Sequence, residues 1–184
     1  MASITEKAGT SSGKPGVEAL LERFRAIIGL APPTSHGTAT TRFGNNIFVT
    51  SPAPSGGFIE LQADVAHQVS RQGVLVDAIL ELKSVLNLQI GEAYQLFDLD
   101  KSQASRLRRQ HRTLDAAHTA KVLRAMELTA LATEVFGSEA AAAQWLKKPH
   151  PLLAGESPLQ YAVSEFGTGK IKNILVAIRY GGVV

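Results

Sequence analysis

Apolar side chains along this sequence recur at intervals of three and four, the spacing of helices that bury one face. Val17, Leu20, Leu21, Phe24, Ile27 and Ile28 form one stripe opposite Glu18, Glu22, Arg23 and Arg25, which predicts an amphipathic helix over 17–30. Phe58, Leu61, Val65 and Val69 return to the same period. Val74, Leu75, Ala78, Ile79, Leu82, Val85 and Leu86 then make the densest face outside the C-terminus, closed by Asn87-Leu88. From Asp115, which suits an N-cap, to Phe136 the pattern changes: Val122, Leu123, Met126, Leu128, Leu131, Val135 and the alanines fill more than one stripe. A helix apolar on several sides needs a second surface, either a dimer mate or the C-terminal part of the chain.

Between these stretches the polar positions set the boundaries. Met1–Gly16 holds almost nothing apolar, so burial does not offset the entropy of ordering it, and disorder is expected. Residues 31–57 are rich in Pro, Thr, Ser and Gly and read as a linker, with Asn46-Ile47-Phe48-Val49 as one extended segment. A helix at 17–30, flanked by loose chain, either covers the main domain, pairs with its own copy or meets a partner. Residues 1–57 thus form a flexible N-terminal region with one helix.

The segment that follows, 58–114, contains a short helix from Ile90 to Phe97, a turn at Asp98-Leu99, and a third helix running from Lys101 to about Gln110. Asp100 caps that helix, with Gln103 as the returning half of a capping box. Short helix, tight turn and basic helix is the order of a helix-turn-helix, although this turn lacks a glycine. Ala104 and Leu107 fall on the inner face, leaving Lys101, Ser102, Gln103, Arg106, Arg109 and Gln110 to point outward. Arg108 and Arg112 extend the cationic run, and no acid stands between Lys101 and Leu114. Such a field attracts a phosphate backbone, so Lys101, Ser102, Gln103, Arg106, Arg109 and Arg112 are the candidate DNA-binding residues. The competing reading is a solvated cationic helix face.

Punctuation is most explicit from Phe136 to Val184. Gly137 suits a helix C-cap and Ser138 an N-cap; Ala140 to Leu146 favours a short helix, and Pro149 stops it. The Pro-bound run His150 to Gly155 should lay Leu152 and Leu153 across a neighbour before Ser157-Pro158 opens a brief helix to Val163. Gly167 and Gly169 are expected to interrupt, after which Ile171, Ile174, Leu175 and Ile178 recur at helical spacing up to Tyr180.

Phe136-Gly137, Trp145-Leu146, the Pro149–Gly155 loop, Pro158-Leu159, Ser164-Glu165 before Gly167, and the Leu175–Val183 ending together resemble the toxin-binding C-terminal domain of Xre/MbcA/ParS antitoxins. The segment Val74 to Arg112 resembles the Xre-like helix-turn-helix that precedes this domain in the same family. The resemblance implies an all-α chain, with a helix-turn-helix domain over 58–114 and a long linking helix plus toxin-binding domain over 115–184. It also implies an antitoxin for a RES-domain toxin, a protein that attacks NAD or uses it to ADP-ribosylate a target. On that reading the last helix presents Lys170, Ile171, Ile174, Arg179 and Tyr180 to the toxin, and the thin tail Gly181, Gly182, Val183 and Val184 threads into its cleft, the free carboxylate of Val184 taking the place of a pyrophosphate. Operator DNA and a homodimer are the further expected partners. The rival reading is a DNA-binding repressor whose C-terminal part only dimerises.

Composition narrows the chemistry. A chain of 184 residues with 45% hydrophobic content can bury a real core, and the formal charge of +3 matters mainly through its placement on the third helix. Absence of cysteine removes disulfides, thiolate metal sites and Cys nucleophiles. His36, His67, His111, His118 and His150 show no zinc-like spacing, so neither metal nor cofactor is expected. Phe166-Gly-Thr-Gly-Lys170 lacks the glycine and the Ser or Thr that a phosphate loop needs, with Ser164 and Ile171 at those positions. Glu156 and Glu165 read as surface charges, and no Gly-x-Ser-x-Gly elbow occurs, so an enzyme is not expected. No run approaches the roughly 20 apolar residues of a spanning helix, and Met1–Gly16 lacks a signal core; a soluble, unprocessed, cytoplasmic protein without membrane contact is the expectation.

Overall fold

The computed structural model describes residues 15–28, 39–43, 46–50, 63–162 and 164–181. Among these the chain forms helix α1 (Pro15–Ile27), strands β1 (Ala39–Phe43) and β2 (Asn46–Thr50), then α2 (Ala63–Gln72), α3 (Asp77–Val85), α4 (Ile90–Leu96), α5 (Lys101–Arg109), α6 (Ala116–Phe136), α7 (Glu139–Lys147), α8 (Pro158–Tyr161) and α9 (Glu165–Arg179). The packed body is all-α, as the periodicity predicts. The two strands form an antiparallel hairpin in which Phe43 pairs with Asn46. Asn46–Val49 is the extended segment expected there; its partner, Ala39–Phe43, stands in the stretch that otherwise reads as linker.

Helix α6 is the element on which the others pack. It meets α1, α2, α3, α7 and α9. Val122, Leu123, Ala125, Met126, Leu128, Ala130, Leu131 and Ala132 are all buried along it, so the second surface its apolar pattern requires is supplied within the chain. Thr119, Thr129 and Thr133 are buried there as well, the last two bonding back along the helix. Thr129 Oγ1 donates to the Ala125 carbonyl and Thr133 Oγ1 to that of Thr129, each at 2.7 Å, which satisfies hydroxyls that would otherwise be costly to bury.

Of the three fates open to the first helix, the chain takes core coverage. Val17, Leu20, Phe24 and Ile28 of this region are buried. Arg23 on its outer flank reaches Glu81 of α3 at 3.3 Å and Glu139 of α7 at 2.5 Å. Pro15 and Gly16 open α1 rather than belonging to a disordered arm; the expectation for residues 1–14 lies outside the described residues, as do Phe58 and Leu61.

Helices α3, α4 and α5 follow one another through short turns. Asn87 ends α3 in a left-handed conformation with φ of 49°, one of the few roles for which Asn is suited. Between α4 and α5, Phe97 and Leu99 are buried while Asp98 takes φ of 52°, so the turn obtains without glycine the left-handed residue it needs. Asp100 caps α5 by accepting from the Ser102 amide at 3.2 Å, and the Ser102 hydroxyl donates to the same carboxylate oxygen, so the cap forms without the capping box expected from Gln103. The chain after α5 returns to the α2–α3 loop, where the Leu114 amide donates to the Val74 carbonyl at 2.8 Å. Gly73 permits this approach: with φ of 76°, a Cβ there would stand 2.3 Å from the Leu114 carbonyl oxygen.

The C-terminal punctuation is realised with two differences. Gly137 (φ 80°) ends α6, Ser138 caps α7, His150 caps a short 3-10 turn over Pro151–Leu153, and Ser157 with Gln160 forms a capping box for α8. Leu153 is buried but Leu152 is exposed, so only one of the pair crosses a neighbour. Gly167 and Gly169 do not interrupt α9, which begins at Glu165 and runs through both. Ser164 caps it, accepting from the Gly167 amide at 3.0 Å. Gly167 is a spacer: a Cβ there would lie 1.9 Å from the Tyr161 carbonyl oxygen, so its absence lets α8 and α9 touch. Among the described residues no helix is long and apolar enough to cross a membrane, and no group of three metal-ligating side chains comes together.

Candidate functional site

The basic surface is built by α5. Burial of Ala104 and the N-cap at Asp100 fix its rotation, turning Lys101, Ser102, Arg106 and Arg109 to solvent; Gln103 is half-buried, and Arg112 follows exposed in the next loop. Arg108 is drawn aside to Asp77 of α3 at 3.4 Å. A cleft of about 360 Å³ opens between α5 and the start of α6, with Gln103, Arg106, Arg112, Asp115 and His118 among its lining residues. Asp115 caps α6 through the His118 amide at 2.9 Å and also meets that residue's Nδ1 at 2.8 Å. The amide bond, followed by the ring contact, holds its carboxyl below the usual aspartate range.

The second surface lies at the two ends of α9, and the residues assigned to it by resemblance divide. Ile171 and Ile174 are buried at 0% and 5%, so within this chain their side chains belong to the core. Arg179 turns back on α6, where its Nη1 meets Glu134 Oε1 at 2.5 Å. Lys170 is exposed and lies 5.4 Å above the Tyr161 ring. Tyr180 stands 70% exposed at the end of the helix, beside Gly181, which closes it with φ of 75°. Gly182, Val183 and Val184 lie outside the described residues.

One aromatic residue is absent from the sequence-based set. Phe166, on the first turn of α9, is 94% exposed, the most open of the large apolar side chains described. Its signal was present but depended on the start of the helix. With α9 beginning before Gly167, Phe166 sits about 140° around from Ile171 at roughly 100° per residue, off the buried stripe. Leu152, 45% exposed in the loop before α8, adds a second apolar group to the C-terminal region.

One surface presents the solvent-exposed cations of α5, and the other presents Lys170, Phe166 and Tyr180. The arrangement suits binding. Comparison with known proteins gives the class first: residues 131–181, from the last third of α6 to the end of α9, match the family described as the Antitoxin Xre/MbcA/ParS C-terminal toxin-binding domain. The match begins at Leu131, inside α6, rather than at Phe136. The chain is also similar to a named protein, Antitoxin Xre of Pseudomonas putida, at 33% identity over 61 residues. That alignment covers 33% of this chain and 38% of the relative, so the chain spans well under half of the curated protein it matches.

Proposed function

We propose that this chain is an antitoxin that neutralises a protein toxin through the region from Leu131 to the C-terminus. The observation that carries the reading is the match of residues 131–181 to a toxin-binding domain, on a surface where Phe166 and Tyr180 stand open to solvent. Aromatic side chains are enriched where proteins bind one another. The toxin on this reading is a RES-domain protein acting on NAD, and the C-terminal module blocks its active site while carrying out no reaction itself. The helix α5 then binds the operon's own promoter, most simply as a homodimer, in the cytoplasm.

Co-expression with the product of the adjacent gene tests the first part. The full chain should restore growth and suppress NAD loss or ADP-ribosylation in the same cells, and a chain ending after Ile178 should not. Full protection by the truncated chain would remove the tail from the mechanism and leave Phe166 as the contact to examine. No protection by the full chain would leave the rival reading, a repressor whose C-terminal part only dimerises.

A further inference from the structure

Deepening the DNA-binding part of that reading, and resting on it, the position of the cleft beside α5 divides the basic residues into two kinds. Arg106 and Arg112 are six positions apart in the sequence, one on α5 and one in the loop after it, yet they line the same concavity, together with Gln103 and the start of α6. At about 360 Å³ the cleft has room for roughly a dozen waters at about 30 Å³ each, enough for a phosphodiester group with part of its hydration. Its one acid, Asp115, is already engaged by the amide and ring of His118, and the ring's Nε2 faces the Asp98 carbonyl at 3.4 Å. Lys101 and Ser102 are not part of this lining; they are the first two residues of α5, just ahead of Gln103.

We infer that the cleft between α5 and α6 seats one backbone phosphate of duplex DNA, held by Arg106 and Arg112 together, while Lys101 and Ser102 face the base edges. Two arginines lining one concavity suit an anion with several oxygens, because a guanidinium presents a planar fork of donors. The N-terminal end of a recognition helix is the part that enters the major groove, and contacts to phosphate set register without reading sequence. Arg106 and Arg112 therefore act on affinity for any duplex. Lys101 and Ser102 act on preference among duplexes.

Fluorescence anisotropy with the full chain, using one duplex from the region upstream of its gene and an unrelated duplex of equal length, tests this between roughly 50 and 200 mM salt. R106Q/R112Q should weaken both duplexes by the same factor and flatten the log–log salt slope by about 0.9, the loss of one phosphate contact. Each single variant should lose less, because the remaining arginine still neutralises that phosphate. K101A should reduce the ratio between the two duplexes instead. Circular dichroism should show every variant folded, since these side chains are exposed.

An unchanged slope in the double variant would overturn the inference, and so would a loss of about 1.8, which means two separate phosphates. A wild type that binds neither duplex would fail the DNA reading itself, an outcome distinct from binding with an unaltered slope.

Discussion

Arg179 of α9 meets Glu134 of α6 at 2.5 Å, and seven residues earlier on each helix Lys172 meets Glu127 at 2.7 Å. Both pairs are separated by 45 positions. A constant difference means that the two helices run in the same direction and in register over about two turns; antiparallel helices would keep the sum constant instead. The C-terminal region is thus anchored along α6 by a two-rung ladder, with Ile171, Ile174 and Leu175 buried beneath it.

Reversing one rung tests that register. Glu134→Arg alone should destabilise the chain by about 1 kcal/mol, a partly screened pair turned repulsive, and adding Arg179→Glu should recover most of the loss. Urea unfolding of the four combinations gives the coupling. Additive losses would show that the two side chains do not interact in solution.

The two glycines of α9 should respond in opposite directions. Gly167→Ala places a methyl against the Tyr161 carbonyl, where backbone cannot yield cheaply, and should cost about 2 kcal/mol or more. Gly169→Ala meets nothing within 4 Å and should stabilise by about 0.5–1 kcal/mol through helix propensity. Thermal unfolding of both variants reads the difference in sign.

Acid should weaken the α5–α6 junction. Lys121's hydrogen bond and charge hold the Asp98 carboxyl below its ordinary value, and the His118 amide does the same for Asp115. A folded-state pKa depressed in this way adds stability that is present above the unfolded value near 3.9 and is lost as pH falls through the folded one. Stability should therefore drop below about pH 4. Asp115→Asn keeps a capping side chain without the charge, so its unfolding midpoint should vary less with pH in that window.

Leu20 of α1 is fully buried, so Leu20→Ala should lower the stability of the whole body by about 2–5 kcal/mol. Chemical unfolding followed at Trp145, on α7, reports whether the loss is global. A shift confined to α1 would leave that signal unchanged.

Phe166→Ala separates binding from folding. An exposed side chain contributes little to stability, so the unfolding free energy should stay within about 0.5 kcal/mol of wild type. On the antitoxin reading, affinity for the toxin measured by calorimetry should fall by at least about tenfold, the scale of an aromatic contact residue.

Much of the helical architecture was legible in advance because its causes are local. Asp100, Asp115, Ser138 and Ser157 cap the helices they precede, and Gly137 ends α6. The orientation of α5 followed from Ala104 and Leu107 alone. Less was legible at the C-terminal surface. Ile171 and Ile174 lie on the stripe that marks a buried face, and the resemblance placed them at the contact. Spacing alone did not tell whether that stripe meets α6 or a toxin.

Local sequence, then, settled where helices start, stop and turn their apolar sides, since capping, propensity and period act within a few residues of each other. It also carried the order of stops and anchors that marks the antitoxin domain. Which apolar side meets which was decided only when the chain folded back on α6. That step turned Gly167 from a helix break into a contact point, drew Arg179 to Glu134, brought Arg106 and Arg112 to one cleft and left Phe166 outside. Each outcome depends on groups far apart in the chain, whose proximity no local pattern encodes.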